Sequence, residues 1–212
     1  RFVVEPGERA RYSDVLVDVV GPEAAATHWQ SLLRSSPLQV GDAVEHQVYE
    51  RYKQRFVALA RRYGYFNSRF ERAEIRVLPD DGLASVALVF VPGPRFAFGE
   101  VMLEQDVVSD ELVQRFVEFK RGDPFDSQLV AELNDAMLAT GYFAVAELRT
   151  VPSTDGQNVV NIDVIATPAK ASTWTAGVGF GTDTGPQLRL AYNNRRRNRR
   201  GHQWGARGSV SR

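Results

Sequence analysis

Apolar positions along this chain follow first a two-residue period, then a helical one, then two again. Tyr12 to Val20 alternates as a strand does, and Gly21-Pro22 then opens a short helix carrying Trp29, Leu32 and Leu33. Val44, Val48, Tyr52, Phe56, Leu59 and Tyr63 return at helical spacing and predict one apolar stripe on a second helix. Asp42 is the expected cap of that helix, with Glu45 three residues on as its capping-box partner. Gly64 stands where a left-handed residue ends such a helix. Alternation resumes in Phe70 to Leu78 and Ala84 to Val91, joined by "PDDG", a turn with Pro and Gly in their usual roles.

The same succession occurs twice. "FVVEPGERARYSDVLVDV" parallels "LVFVPGPRFAFGEVMLEQ", matching Pro6-Gly7 with Pro92-Gly93, Arg9 with Arg95, and Tyr12 with Phe98. Gly41-Asp42 matches Gly122-Asp123, and Gly64-Tyr65-Phe66 matches Gly141-Tyr142-Phe143. Several anchors kept in one order indicate a tandem repeat. In the second copy Ser109 is the expected cap of a helix with Asp110 and Glu111 in its first turn, where the helix dipole favours acids. Asp126 is the expected cap of the next, whose face carries Leu129, Leu133 and Met137 and which Gly141 ends. Strands at Ala144 to Val151 and Val159 to Ala166 flank "PSTDGQN". Each copy therefore reads strand, helix, helix, strand, strand, an α+β unit with a helical pair over a three-stranded sheet. The Tyr-Phe pair after each helix-ending glycine is expected to anchor the chain as it leaves the helix.

The last forty residues change character. In "WTAGVGFG", Trp174, Ala176, Val178 and Phe180 point one way, while Thr175, Gly177, Gly179 and Gly181 point the other. Leu188, Leu190 and Tyr192 oppose Gln187, Arg189, Ala191 and Asn193; Trp204, Ala206, Gly208 and Val210 oppose Gln203, Gly205, Arg207 and Ser209. A tilted strand needs roughly 9–11 residues to cross a bilayer, and Thr173 to Gly181 is long enough. Alternation of this kind with aromatics near strand ends is the weak signature of a transmembrane barrel, and a half-buried soluble sheet gives the same alternation. Trp174, Val178, Phe180, Leu188, Leu190, Tyr192, Trp204 and Val210 are large apolar side chains. At roughly 1.5–3 kcal/mol each for full burial, their cover would contribute about 12–24 kcal/mol as an upper bound. Glycine and arginine on the opposite face cannot supply a second core, whereas lipid outside and water inside would suit both faces.

Charge divides the chain at the same place. Residues 171–212 hold eight arginines and one acid, Asp183, for a net +7, and the first 170 residues balance it at −7. There is no cysteine, so neither a disulfide framework nor a thiolate metal site exists. No apolar stretch is long enough for a membrane-spanning helix, and no signal peptide is apparent in a chain that starts in what reads as mid-strand.

The element order, the "GYF" exits and the "VPGPRF" joint resemble polypeptide-transport-associated (POTRA) domains, the periplasmic modules of outer-membrane assembly factors and transporters. The resemblance divides the chain into 8–92 and 93–168 as two modules, with 1–7 as the end of a preceding one and 169–212 as the start of a transmembrane β-barrel. It implies an outer-membrane protein with periplasmic modules. Its partners would be unfolded outer-membrane or autotransporter clients, an inner-membrane-anchored periplasmic protein, and outer-membrane lipid. The means of capture would be strand addition to an open sheet edge. In this fold the strand after the helices lies at the edge, which singles out Arg72, Glu74 and Arg76 and, in the second module, Glu147 and Arg149; an ordinary solvated face is the plainer reading of the same charges. "GVGFGTDTGPQLRLAY" followed by "NRRGH" resembles the first barrel hairpin of the TamA (translocation and assembly module) branch. The run "NNRRRNRRGH" departs from that branch, whose members usually place an aromatic or proline before the asparagine of the turn. On this resemblance "TDTGP" would be external and the Arg195 to Arg200 turn periplasmic.

Five arginines in six residues there suit lipid phosphates, a nucleic acid or plain solvent. No recognised nucleic-acid module accompanies them, and no nucleic-acid partner is expected. His28, His46 and His202 show no metal-ligand spacing, no G-x-S-x-G is present, and "GVGFGTDTG" puts Thr182 where a dinucleotide loop needs glycine. No cofactor, metal site or enzymatic activity is expected. Three strands cannot close a barrel, so the sequence is read as a fragment or as one that a partner completes. The alternatives are a soluble periplasmic scaffold of tandem modules and a two-partner secretion transporter.

Overall fold

The structure, a computed structural model, describes residues 9–153, 156–181, 185–194 and 203–211. The expected strand at Phe2 to Gly7, the tip of "TDTGP" and the Arg195 to Arg200 turn lie outside the described residues. The chain divides into two compact units, residues 1–97 with 124–127, and 98–123 with 128–212.

In the first unit β1 (Arg11–Val19) leads to helices α1 (Thr27–Arg34) and α2 (His46–Arg62), then to β2 (Arg69–Leu78) and β3 (Leu83–Val91). The sheet order is β1-β3-β2, with β3 parallel to β1 and antiparallel to β2. Alternation places Ala84, Val86, Leu88 and Phe90 of β3 on the buried face. Trp29 and Phe56 meet Phe90 there at ring separations of 5.2 and 5.3 Å. The buried line of α2 is Tyr49, Tyr52, Phe56 and Ala60, with Val48, Leu59 and Tyr63 only on its flanks. The expected stripe was rotated from this because Ala60 carries too little apolar surface to mark a face, although its small size suits close packing.

The expected capping box is absent. Helix α2 begins at His46, with Glu45 in the cap position and no side-chain cap bond. Asp42 instead lies in a short extended piece paired with the start of β1. The Gly41 N–H donates to the Tyr12 carbonyl (2.7 Å), Tyr12 N–H to the Asp42 carbonyl (2.9 Å), and Val44 N–H to the Ala10 carbonyl (2.8 Å). Extended backbone cannot also be the first turn of a helix, so these bonds postpone α2. Gly122 and Asp123 form the matching bonds with Phe98, at 2.8 Å each. Gly41 and Gly122 share φ +92°, a left-handed conformation that accounts for glycine at both anchors.

The second unit contains most of β4 (Ala97–Glu104) and α4 (Ser127–Ala139), and all of α3 (Asp110–Gln114), β5 (Phe143–Pro152) and β6 (Val159–Pro168). Its sheet order is β4-β6-β5, and β5 and β6 are antiparallel. Ser109 occupies the cap position of α3 without a capping bond to the helix backbone. Hydrogen bonds from its own backbone and from Ser109 hold the Glu111 carboxyl below the usual carboxylate range. The face of α4 buries Val130, Leu133 and Met137, with Leu129 displaced to the flank.

A third sheet, β7 (Ser172–Gly181), β8 (Gly185–Asn194) and β9 (Trp204–Ser211), is an antiparallel meander within the second unit. It is open, and among the described residues no further strand pairs with β7 or β9.

The two exit tyrosines behave differently. Tyr65 is buried, and its hydroxyl donates to Glu23 Oε2 at 3.2 Å; Tyr142 is half-buried. Burial first, and then the Glu23 carboxylate, push the Tyr65 phenol up to about 12. An unfolded tyrosine releases its proton near about 10. The stability contributed by neutral Tyr65 is therefore intact below that pH and lost as pH rises towards 12. Urea midpoints measured across this window should fall steeply, and less steeply in Tyr65→Phe. Gly64 has φ +80°, and a Cβ there would lie 2.8 Å from Phe125 Cβ. Gly64→Ala is expected to cost at least about 1–2 kcal/mol from the left-handed backbone alone, read as a lowered urea midpoint with unchanged slope.

Candidate interaction surfaces

Among the described strands of the first sheet, β2 pairs on one side only, with β3, and its outer backbone edge is open along Arg69–Leu78. The other edge strand, β1, is partly covered at its start by residues 41–44. The longer continuous edge is thus β2. A register shift between Phe70 and Arg72 leaves Glu71 without an opposite residue, a bulge of the kind that sharpens local twist. In the second sheet β5 holds the corresponding place.

The candidate charges sit on the sheet face opposite the helices. Cross-strand rows run Asp14–Ser85–Arg76, Leu16–Ala87–Glu74 and Asp18–Val89–Arg72. Glu74 joins its neighbours along the strand, with Oε1 3.3 Å from Arg72 and 3.0 Å from Arg76. In the second sheet Glu147 Oε1 lies 2.8 Å from Arg149 Nε, and Arg149 stands opposite Asp163. The hydrogen bond and then the charge of Arg149 hold the Glu147 carboxyl below the usual carboxylate range. Asp14 and Asp18 belong to the same charged face as the β2 residues but were not singled out from sequence. Their membership depends on the parallel pairing of β1 with β3, across about seventy residues of chain, and no local pattern encodes it.

The third sheet brings the apolar candidates together. Pairing gives the rows Trp174–Tyr192–Ala206, Ala176–Leu190–Gly208 and Val178–Leu188–Val210 on one face. Trp174, Val178 and Phe180 are 75, 88 and 79 % exposed, and Leu188, Leu190, Trp204 and Val210 are exposed as well. Tyr192 is half-buried between two tryptophans, its ring 4.5 Å from Trp174 and 5.0 Å from Trp204. These three aromatics gather at the end where β7 begins. The other face carries Thr175, Gly177, Arg189, Ala191, Arg207 and Ser209, with open space above Gly179. Every helix-covered sheet in the chain hides its apolar face; this one does not.

Among the described residues no group of histidines, acids or cysteines is placed to hold a metal ion, and no helix is long and apolar enough to cross a membrane.

Residues 96–166 match the POTRA family, described as surface antigen variable number repeat. This stretch is similar to a POTRA module. Its element order, strand, helix, helix, strand, strand, is repeated by the first unit. BamA from Haemophilus ducreyi lacking POTRA domains 1-3 superposes with a TM-score of 0.76 at 14% identity, over 95% of this chain and 37% of that one. BamA POTRA3-5 from Haemophilus influenzae gives 0.53 at 18%, over 75% and 61%. CdiB from Escherichia coli gives 0.51 at 12%, over 96% and 36%. The fold is that of POTRA-bearing chains, and this chain spans less than two thirds of each.

The β2 charges are half-exposed, so their ion pairs are screened. Glu74→Gln is expected to change unfolding free energy by less than about 1 kcal/mol, which a urea titration at low and high salt would check. A larger, salt-insensitive loss would mean that the ladder holds the sheet together.

Proposed function

We propose that this chain is part of an outer-membrane assembly or translocation factor of the TamA kind. In that role its POTRA modules work in the periplasm and its C-terminal strands begin a lipid-embedded barrel. The observation that carries this reading is the in-register apolar face of β7–β9, exposed on one side and backed by glycine and polar residues on the other. Hydrocarbon meets such a face without the cost that water imposes, and a wet lumen suits Arg189 and Arg207 behind it. Trp174, Tyr192 and Trp204 at one end match the preference of amphipathic rings for the membrane–water boundary. The open edges of β7 and β9 require further strands in hydrocarbon, supplied by the rest of a longer protein or by a partner.

Client handling is assigned to the β2 and β5 edges. An extended segment of an unfolded outer-membrane or autotransporter client would add a strand there, backbone to backbone, while Arg72, Glu74, Arg76, Glu147 and Arg149 select what lies alongside. An inner-membrane-anchored periplasmic protein is a second partner of the modules. The protein acts by docking and insertion, without enzymatic chemistry.

Brominated detergent tests the membrane face. Trp174 and Trp204 are expected to be quenched and blue-shifted in micelles, while Trp29, sealed in the first core, keeps its emission. Equal quenching of all three, or none, overturns the assignment. Proline at Ala73 and Val77, exposed residues whose N–H groups point away from β3, removes edge donors. Capture of an extended client peptide should weaken about tenfold or more if these contribute one or two backbone bonds. Unchanged capture with an intact circular-dichroism spectrum removes β2 as the docking edge.

A further inference from the structure

On the side of the first unit away from its sheet, α1 and α2 leave between them a groove of about 720 Å³. Its apolar floor is Leu32 from α1, Ala58 and Leu59 from α2, and the ring of Tyr63, on which His28 stacks at 4.2 Å; Thr27, Ser31 and Ser35 line the α1 wall. Arg55 and Arg62 line the same groove. Arg55 is held by Ser35, whose Oγ accepts from Nη2 at 2.9 Å; Arg62 lies 3.6 Å from Asp126 at the other end. Seven residues apart on one helix, the two arginines are separated by about 10 Å.

Arg55 and Arg62 are the charged residues that line the groove, and Asp126 meets Arg62 at its end. Helix α2 carries Arg51, Lys53, Arg55, Arg61 and Arg62 against Glu50 alone, and Glu50 is already 3.2 Å from Lys53. Helix α1 adds Arg34 and no acid. In a chain of zero net charge this is a concentrated basic surface.

We infer that the α1–α2 groove is a docking site for an acidic amphipathic helix of a partner protein, with carboxylates two turns apart flanking a short apolar stripe. Three features select this occupant. A furrow between two helices accepts the ridges of a third. The apolar floor between the arginines would be left uncovered by a purely polyanionic ligand such as a nucleic acid or a lipid headgroup. An extended strand has nothing to pair with, because helical backbone groups are already bonded within α1 and α2. The groove lies wholly within the first unit, so the inference stands apart from the membrane reading of β7–β9.

The test uses the whole chain and fluorescein-labelled eighteen-residue helical peptides, followed by anisotropy at low and physiological salt. One peptide carries two glutamates seven apart around leucine and alanine; a second replaces the glutamates by lysine; a third keeps the glutamates but has serine for leucine. The first peptide should bind, and the second and third should bind at least about tenfold more weakly, the scale expected for reversing close charges or losing a buried leucine. Arg55→Glu should weaken the first peptide by a similar factor. Ala58→Lys separates seating from mere attraction: it adds a positive charge but fills the exposed floor. Weaker binding by Ala58→Lys supports the groove; equal or tighter binding overturns it. Comparable binding of all three peptides overturns it too, as does Arg55-dependent capture of anionic phospholipid vesicles with no peptide preference. Circular dichroism and thermal midpoints of both variants should match the parent chain, since Arg55 and Ala58 are exposed.

Discussion

A three-stranded sheet has two faces, and whatever covers the apolar one decides what the sheet can be. In the first unit the cover is a helix pair whose Trp29 and Phe56 close over Phe90. The opposite face is then free to carry Asp14, Asp18, Arg72, Glu74 and Arg76. The third sheet has the same alternation but no helices of its own, and its apolar rows stand in the open. Burial of an apolar side chain is favourable by a few kcal/mol at most, but a full set in register sums to a demand that solvent cannot meet. That contrast between a covered and an uncovered sheet carries the membrane assignment of β7–β9.

The modules also show how a fold manages its edges. β1 is partly closed by the chain itself, through the extended residues 41–44, and the same device recurs around Gly122 and Asp123. β2 keeps its edge open but lines the adjoining face with an ion-pair ladder and starts it with a bulge. Both features discourage indiscriminate pairing while leaving backbone donors accessible.

Helix α2 serves two surfaces at once. Tyr49, Tyr52, Phe56 and Ala60 face the core, while Arg55 and Ala58 face outward beside α1. The separation follows from 3.6 residues per turn, so core and groove use different stripes of one helix, with Leu59 at the boundary touching both. Changes to the outer stripe therefore leave the packing in place.

Much of this was legible in the chain itself. Period-two and period-3.6 runs marked nearly all of the strands and helices, the repeat anchors paired Gly64 with Gly141 and Gly41 with Gly122, and the last strands displayed their two faces residue by residue. Those features are local: they depend on neighbours within a few positions, and alternation or a left-handed φ needs no distant partner to be recognised. What only the tertiary structure decided is non-local. The parallel union of β1 with β3 put Asp14 and Asp18 across from Arg76 and Arg72, and bonds from residues 41–44 to β1 took Asp42 away from the helix it was expected to cap. Helix packing turned α2 so that Ala60 lies inside and opened a groove beside Arg55. Each of these depends on which surfaces meet in space, and contacts between residues far apart in sequence leave no periodic trace in the chain.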